Sequence, residues 1–178
     1  MKIRDVLWVF FISILPIIEL RGAIPVGAAL DLPFYVNYAC AVVGNILPIP
    51  FILMFIPKVL EFLNRFKIFK PIIGWVYKKA QKYSAKIEGE GAEINTETGE
   101  IVKKNNEGKM SLGAFVALLL FVMIPLPGTG AWTGALIASL FGLPKKKSFL
   151  AILLGVLCAG VLMCLASYGV VSFLKIFL

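Results

Sequence analysis

Glu19 and Arg21 constrain this chain more than any other residues, because they sit in an apolar run punctured by Pro16, Gly22, Pro25 and Gly27. Without that puncture, the run would read as a plain membrane helix. An ionised group at mid-bilayer costs about 2.5–3.5 kcal/mol even on permissive insertion scales. Such a charge persists where it lines a cavity, meets an opposite charge or binds a ligand. The prolines and glycines open the backbone at the same place, so the segment is predicted to carry a functional site.

Composition places the chain in a membrane. It has 178 residues, of which 60% are hydrophobic, and a mean hydropathy of +0.91. Several apolar stretches reach the roughly 20 residues needed to cross hydrocarbon. One polytopic membrane domain with a central polar insertion is expected. Its N-terminus, Met-Lys-Ile-Arg-Asp before an apolar run, has the look of a signal peptide, but no polar mature region follows. The segment is therefore expected to stay as structure. Cys40, Cys158 and Cys164 lie in apolar runs without metal-ligand spacing and are expected to be small buried hydrophobes. The absence of histidine excludes His triads and His metal sites. No metal and no cofactor is expected. Nor is an enzyme, since Glu19 is the one plausible acid–base group and no nucleophile stands beside it. The net charge of +8 gathers in loops next to apolar segments, where it points to topology and anionic lipid rather than to nucleic acid.

The predicted fold is an all-α integral membrane protein of two repeats. Residues 1–57 form the first, with a broken segment over 6–30 and a transmembrane helix over 34–57, kinked near Pro48 and Pro50. Each half of 6–30 is too short to span alone. Together they make either one kinked span or a re-entrant hairpin. Asn45 in the following helix is expected to make a helix–helix hydrogen bond. Residues 58–87 repeat apolar positions at helical spacing between Lys58, Arg65, Lys67, Lys70, Lys78, Lys79, Lys82 and Lys86, the pattern of interfacial amphipathic helices. Residues 88–110 are a polar, Gly-rich cytoplasmic loop, open to a small hairpin around Thr98-Gly99. The second repeat, 111–178, has a broken segment over 111–143, a transmembrane helix over 148–170 and a tail. One long C-terminal helix is the alternative.

A shift of 111 residues carries Leu15-Pro16 onto Leu126-Pro127, Leu32-Pro33 onto Leu143-Pro144 and Gly44 onto Gly155. Interrupted helices in matching positions of two halves mark a transporter whose site lies at the repeat interface. Basic residues at 58–110 and at Lys145–Lys147 put both on the cytoplasmic side. Segment 111–143 then begins and ends inside and must be re-entrant. If 6–30 is also re-entrant, the repeats are inverted and their tips face each other.

At an unwound tip, free peptide groups and positive helix ends favour an anion such as phosphate or carboxylate. Gly128 and Gly130 let a ligand approach the Pro127–Ala131 amides, Thr129 and Thr133 offer hydroxyls, and Trp132 stands beside them. Arg21 would supply a fixed charge with planar donors. Glu19 and Arg21 are too close in sequence to share a helical face. In an unwound turn they could pair, or Glu19 could carry a coupling proton.

The strings Leu-Pro-Ile-Ile-Glu19-Leu-Arg21-Gly22-Ala-Ile-Pro25-Val-Gly27 and Pro125-Leu-Pro127-Gly128-Thr129-Gly130-Ala-Trp132-Thr133-Gly134 resemble the paired motifs of the small multidrug export protein family, distantly related to the DedA/VTT membrane proteins. The resemblance covers nearly all of the chain outside 88–110. It implies facing re-entrant hairpins, a multi-pass protein of a prokaryotic plasma membrane, and a role in transport or lipid translocation. DedA relatives are associated with undecaprenyl phosphate and with proton-dependent drug resistance. Their functional glutamate carries over to Glu19. Their arginines do not, since Ile124 and Gly130 stand there, and Arg21 would have to substitute. The first reading is thus a DedA-like translocase of a lipid-linked phosphate. A proton-coupled exporter of lipophilic cations and a non-transporting structural membrane protein are the alternatives. Membrane lipid is the expected surrounding, and a homo-oligomer is compatible.

Overall fold

The computed structural model describes residues 2–64, 93–94, 101–102, 110–126 and 128–177. Of the basic amphipathic stretch, everything from Arg65 onward lies outside the described residues, as does Pro127 at the second tip. The described chain is helical apart from one short strand pair, β1 (Glu93–Ile94) with β2 (Ile101–Val102), antiparallel with Glu93 opposite Val102. That pairing falls where the polar insertion was open to a small hairpin, and its connection, 95–100, lies outside the described residues. The helices are α1 (Ile3–Ile14), α2 (Glu19–Ala29), α3 (Phe34–Ile46), α4 (Ile49–Asn64), α5 (Leu112–Met123), α6 (Ala131–Leu140) and α7 (Lys145–Phe177).

Among the described residues, two helical stretches, Phe34–Val59 and Lys145–Val170, are long and apolar enough to cross a membrane. The first is divided at Leu47-Pro48, as its prolines predict. At 33 residues, α7 measures about 50 Å. It is longer at both ends than the expected 148–170. Pro144 accepts from the Ser148 amide at 2.9 Å and so opens the helix at Lys145, and Gly169, with open space around it, does not stop it. By contrast α1, α2, α5 and α6 have 12, 11, 12 and 10 residues, each no longer than about 18 Å.

The first broken segment is more helical than its prolines and glycines suggest. Its break is confined to Leu15–Ile18, and Arg21, Gly22, Pro25 and Gly27 all lie within α2. Pro25 removes one N–H from the ladder, and the surrounding turns hold the helix around it. Gly27 serves packing. A Cβ there would fall on the Asn37 carboxamide of α3.

The two halves share local geometry at the 111-residue shift. After α2 the chain turns through Asp31 at φ 54°, and after α6 through Gly142 at φ 63°. Leu32 then donates to the Gly27 carbonyl at 3.0 Å and Leu143 to the Ala138 carbonyl at 2.9 Å. Both are left-handed helix stops that satisfy an orphan carbonyl. Both halves also bring a backbone against a glycine. A Cβ on Gly44 of α3 would stand 2.6 Å from the Phe10 carbonyl of α1, and one on Gly155 of α7 would stand 2.9 Å from the Leu119 carbonyl of α5. Small residues at such crossings are the usual means of close helix approach in membranes.

Contacts between the halves are reciprocal. α2 packs on α7 and α6 packs on α4. Val42 of α3 lies at Gly160 of α7, and the Phe34 ring lies 5.7 Å from the Tyr168 ring, so α3 and α7 run antiparallel. The buried core follows this seam, with Leu20, Ile24, Ala41, Ala131, Ala135, Ile152 and Val156 among its members.

Buried polar groups tie the seam. Asn37 donates to the Ile24 carbonyl at 2.8 Å and to the Tyr168 hydroxyl at 3.1 Å, and that hydroxyl donates to the Leu32 carbonyl at 2.6 Å. Within the first half, Ser13 of α1 donates to the Ala41 carbonyl of α3. Asn45 departs from expectation. It is fully buried, and neither end of its carboxamide meets a partner among the described residues. The cysteines are all free. Cys164 is buried as expected, whereas Cys40 is half-buried and Cys158 exposed.

Candidate functional site

Each half is interrupted once before its first corner, at Leu15–Ile18 and at Ile124–Gly130. The first interruption is tight. Glu19 donates its amide to the Leu15 carbonyl at 3.1 Å, while Ile17 and Glu19 are held at φ 81° and φ 52°. The left-handed region is costly for a β-branched isoleucine, and residues held there store on the order of 1–3 kcal/mol each.

This backbone accompanies a Glu19 carboxylate that reaches the other half. Glu19 is 5% exposed. Its Oε2 accepts from the Ala131 amide at 3.3 Å and its Oε1 from the Trp132 amide at 3.1 Å. These are the first two amides of α6, whose own N-cap, Gly130, offers no side chain. A carboxylate at a helix N-terminus meets both orphan donors and the positive end of the dipole, worth up to about 2 kcal/mol in a partly buried setting. Gly130 is extended at φ −166°, which any residue can adopt. It must be glycine for space, since a Cβ would coincide with the Glu19 carboxylate.

Arg21 reaches the opposite helix end. Its Nη2 donates to the Ile124 carbonyl at 2.9 Å and to the Val122 carbonyl at 3.3 Å, and its Nη1 donates to the Leu126 carbonyl. These oxygens close α5 and begin the interruption, at the partially negative end of the helix. The Ile124 carbonyl also accepts the Leu126 amide at 2.9 Å, and the Leu126 carbonyl the Thr129 amide at 3.2 Å. The Thr129 hydroxyl lies 2.8 Å from the Ile124 carbonyl and 3.0 Å from that of Leu126. Gly128, at φ 83° with open space around it, gives the loop its left-handed turn.

The two-residue offset that keeps Glu19 and Arg21 off a common face therefore sends them to helix ends of opposite polarity. They do not pair with each other. Of the tip groups read from sequence as free to take an anion, the Thr129 and Ala131 amides and the Arg21 guanidinium have partners within the chain. Of the other predicted residues, Gly22 packs against Ile18 at the end of the first interruption and Pro25 is half-buried within α2. Trp132 and Thr133 lie half-buried on the first turn of α6, and the Trp132 indole nitrogen meets no acceptor among the described residues. Sequence reasoning missed the carbonyls of Val122, Ile124 and Leu126. They are backbone atoms of apolar residues, and the uncharged break was the one available sign of them.

A family model described as "Putative small multi-drug export protein" matches residues 19–162. The match runs from Glu19 through both corners and the second interruption into α7. Comparison with curated proteins and with solved structures gave no match.

Proposed function

Because the chain belongs to the small multi-drug export protein family, we propose that it is a secondary transporter exporting lipophilic cations, with Glu19 exchanging a proton for substrate. One observation carries this reading. The Glu19 carboxylate is buried where the two interruptions meet, and its recorded partners are two peptide amides, at 3.1 and 3.3 Å, rather than a cation. Such a carboxylate can give up its amides for a proton or for a passing cation. Each exchange uncaps or recaps α6.

In this reading the two interrupted segments enter the bilayer from opposite faces as re-entrant hairpins, and the repeats are inverted. The antiparallel α3 and α7, the matched corners and the shortness of α1, α2, α5 and α6 support that arrangement. Cytoplasmic placement of 58–110 and Lys145–Lys147 follows from their charge. The lipid-phosphate reading is less well supported, because a phosphate would need the Ala131 and Trp132 amides or the Arg21 guanidinium, and each already has a partner.

The test is transport in proteoliposomes, comparing tetraphenylphosphonium with a polyprenyl phosphate. Cation movement that is abolished by Glu19→Gln and only slowed by Arg21→Lys is expected. The reverse order of sensitivity, with phosphate moving instead, would overturn the proposal. For topology, single cysteines at Thr98 and Lys146, in a chain cleared of its native cysteines, should be labelled from the same side. Labelling from opposite sides would exclude the inverted arrangement.

A further inference from the structure

The Val122, Ile124 and Leu126 carbonyls converge on one planar cation, the Arg21 guanidinium, beside the Thr129 hydroxyl. Three peptide oxygens gathered without a carboxylate form a receptor for N–H donors on a delocalised cation. From this geometry we infer that the carbonyl cluster is the recognition site for the head group of the exported cation. Arg21 is its tethered resident, and the substrates are guanidinium- and amidinium-type compounds. The inference rests on the export reading and narrows its substrate class.

The chemistry separates two kinds of lipophilic cation. A guanidinium or amidinium compound can donate to the oxygens that Arg21 now satisfies, so the exchange leaves no carbonyl unpaired. A quaternary ammonium or phosphonium ion has no N–H. The Ile124 and Leu126 carbonyls then keep the Leu126 and Thr129 donors, but the Val122 carbonyl loses the guanidinium, and sites built around hydrogen-bond partners discriminate against ligands that lack them. Arg21, once displaced, has Glu19 two positions before it as a counter-charge. Its displacement therefore favours release of the α6 cap, which ties head-group recognition to the group that exchanges protons.

The experiment uses the full chain in vesicles of phosphatidylethanolamine and phosphatidylglycerol under an imposed pH gradient. Phenylguanidinium and tetraphenylphosphonium are compared at equal concentration. Phenylguanidinium is expected to move about tenfold faster or more, a ratio within what hydrogen-bond recognition supplies. In parallel, Arg21→Ala should melt at lower temperature in detergent, and millimolar ethylguanidinium should restore its melting point while tetramethylammonium does not. Equal or faster movement of tetraphenylphosphonium would overturn the inference and leave the export reading standing. Movement of neither cation would overturn the export reading, and the carbonyl site would then stand or fall on the ethylguanidinium rescue. If Arg21→Ala does not fold, the wild-type flux ratio decides.

Discussion

The interruptions at Leu15–Ile18 and at Ile124–Gly130 occupy corresponding places in two halves whose corners match closely, yet they are built in opposite ways. The first is short and strained and is followed at once by both charges. The second is long, uncharged and supplied with glycines, and it offers backbone amides at one end and carbonyls at the other. One half contributes side chains and the other contributes helix ends. Two similar corners thus flank an asymmetric arrangement, set by differences of a few residues at the breaks.

Six substitutions break or sharpen that contrast. The largest effect is expected at Gly130→Ala, where the added methyl drives the Glu19 carboxylate off α6 and leaves a buried charge without partners. A loss of about 3 kcal/mol in denaturant unfolding is expected, together with loss of transport. A change under about 1 kcal/mol would mean that α6 does not depend on Glu19. Arg21→Met keeps much of the side-chain volume but withdraws donors from three carbonyls. It should cost about 2 kcal/mol, the range for hydrogen bonds to a charged group, and should lower cation flux more than Gly128→Ala, whose methyl meets open space but takes a left-handed φ at about 1 kcal/mol.

Next comes the resemblance between the halves. Gly44→Ala and Gly155→Ala each push a methyl at a carbonyl of the adjoining helix, so each should cost about 1.5 kcal/mol. Melting shifts that differ severalfold would show that the two crossings are not equivalent in energy. The smallest effect belongs to Gly142→Ala at the second corner. Left-handed φ costs a non-glycine residue about 1 kcal/mol, and Asp31 already occupies the matching position in the first half.

Much of this was legible in the residues themselves. Leu-Pro pairs and Gly44/Gly155 pointed to positions 111 residues apart, and the corners and glycine crossings there do take similar local geometry, because prolines and glycines act on the backbone directly. The weight on Glu19 and Arg21 was equally readable, since a charge in an apolar run needs a partner. Their partners were not readable. Amides and carbonyls have no letter of their own, and which of them lie open depends on where a helix stops. Pro25 and Gly27 misled for a related reason. They suggested an unwound segment, whereas α2 accommodates the proline and uses Gly27 to admit Asn37. Asn45 also escaped, because burial of an amide says that it should have a partner and not that it has found one.

The bridges from Glu19 to Ala131 and Trp132 span 112 and 113 positions, and those from Arg21 span 101 to 105. A ribosome releases the acid and the base long before it makes what they bind. During that interval both charges are inside a nascent first half without their final partners, which is a reason for that half to linger near the insertion machinery. The second half acts as a late clasp, closing contacts of high sequence separation and so of slow formation. Cutting the chain within 95–100 and supplying the two pieces together should therefore yield a protein that neither piece forms alone.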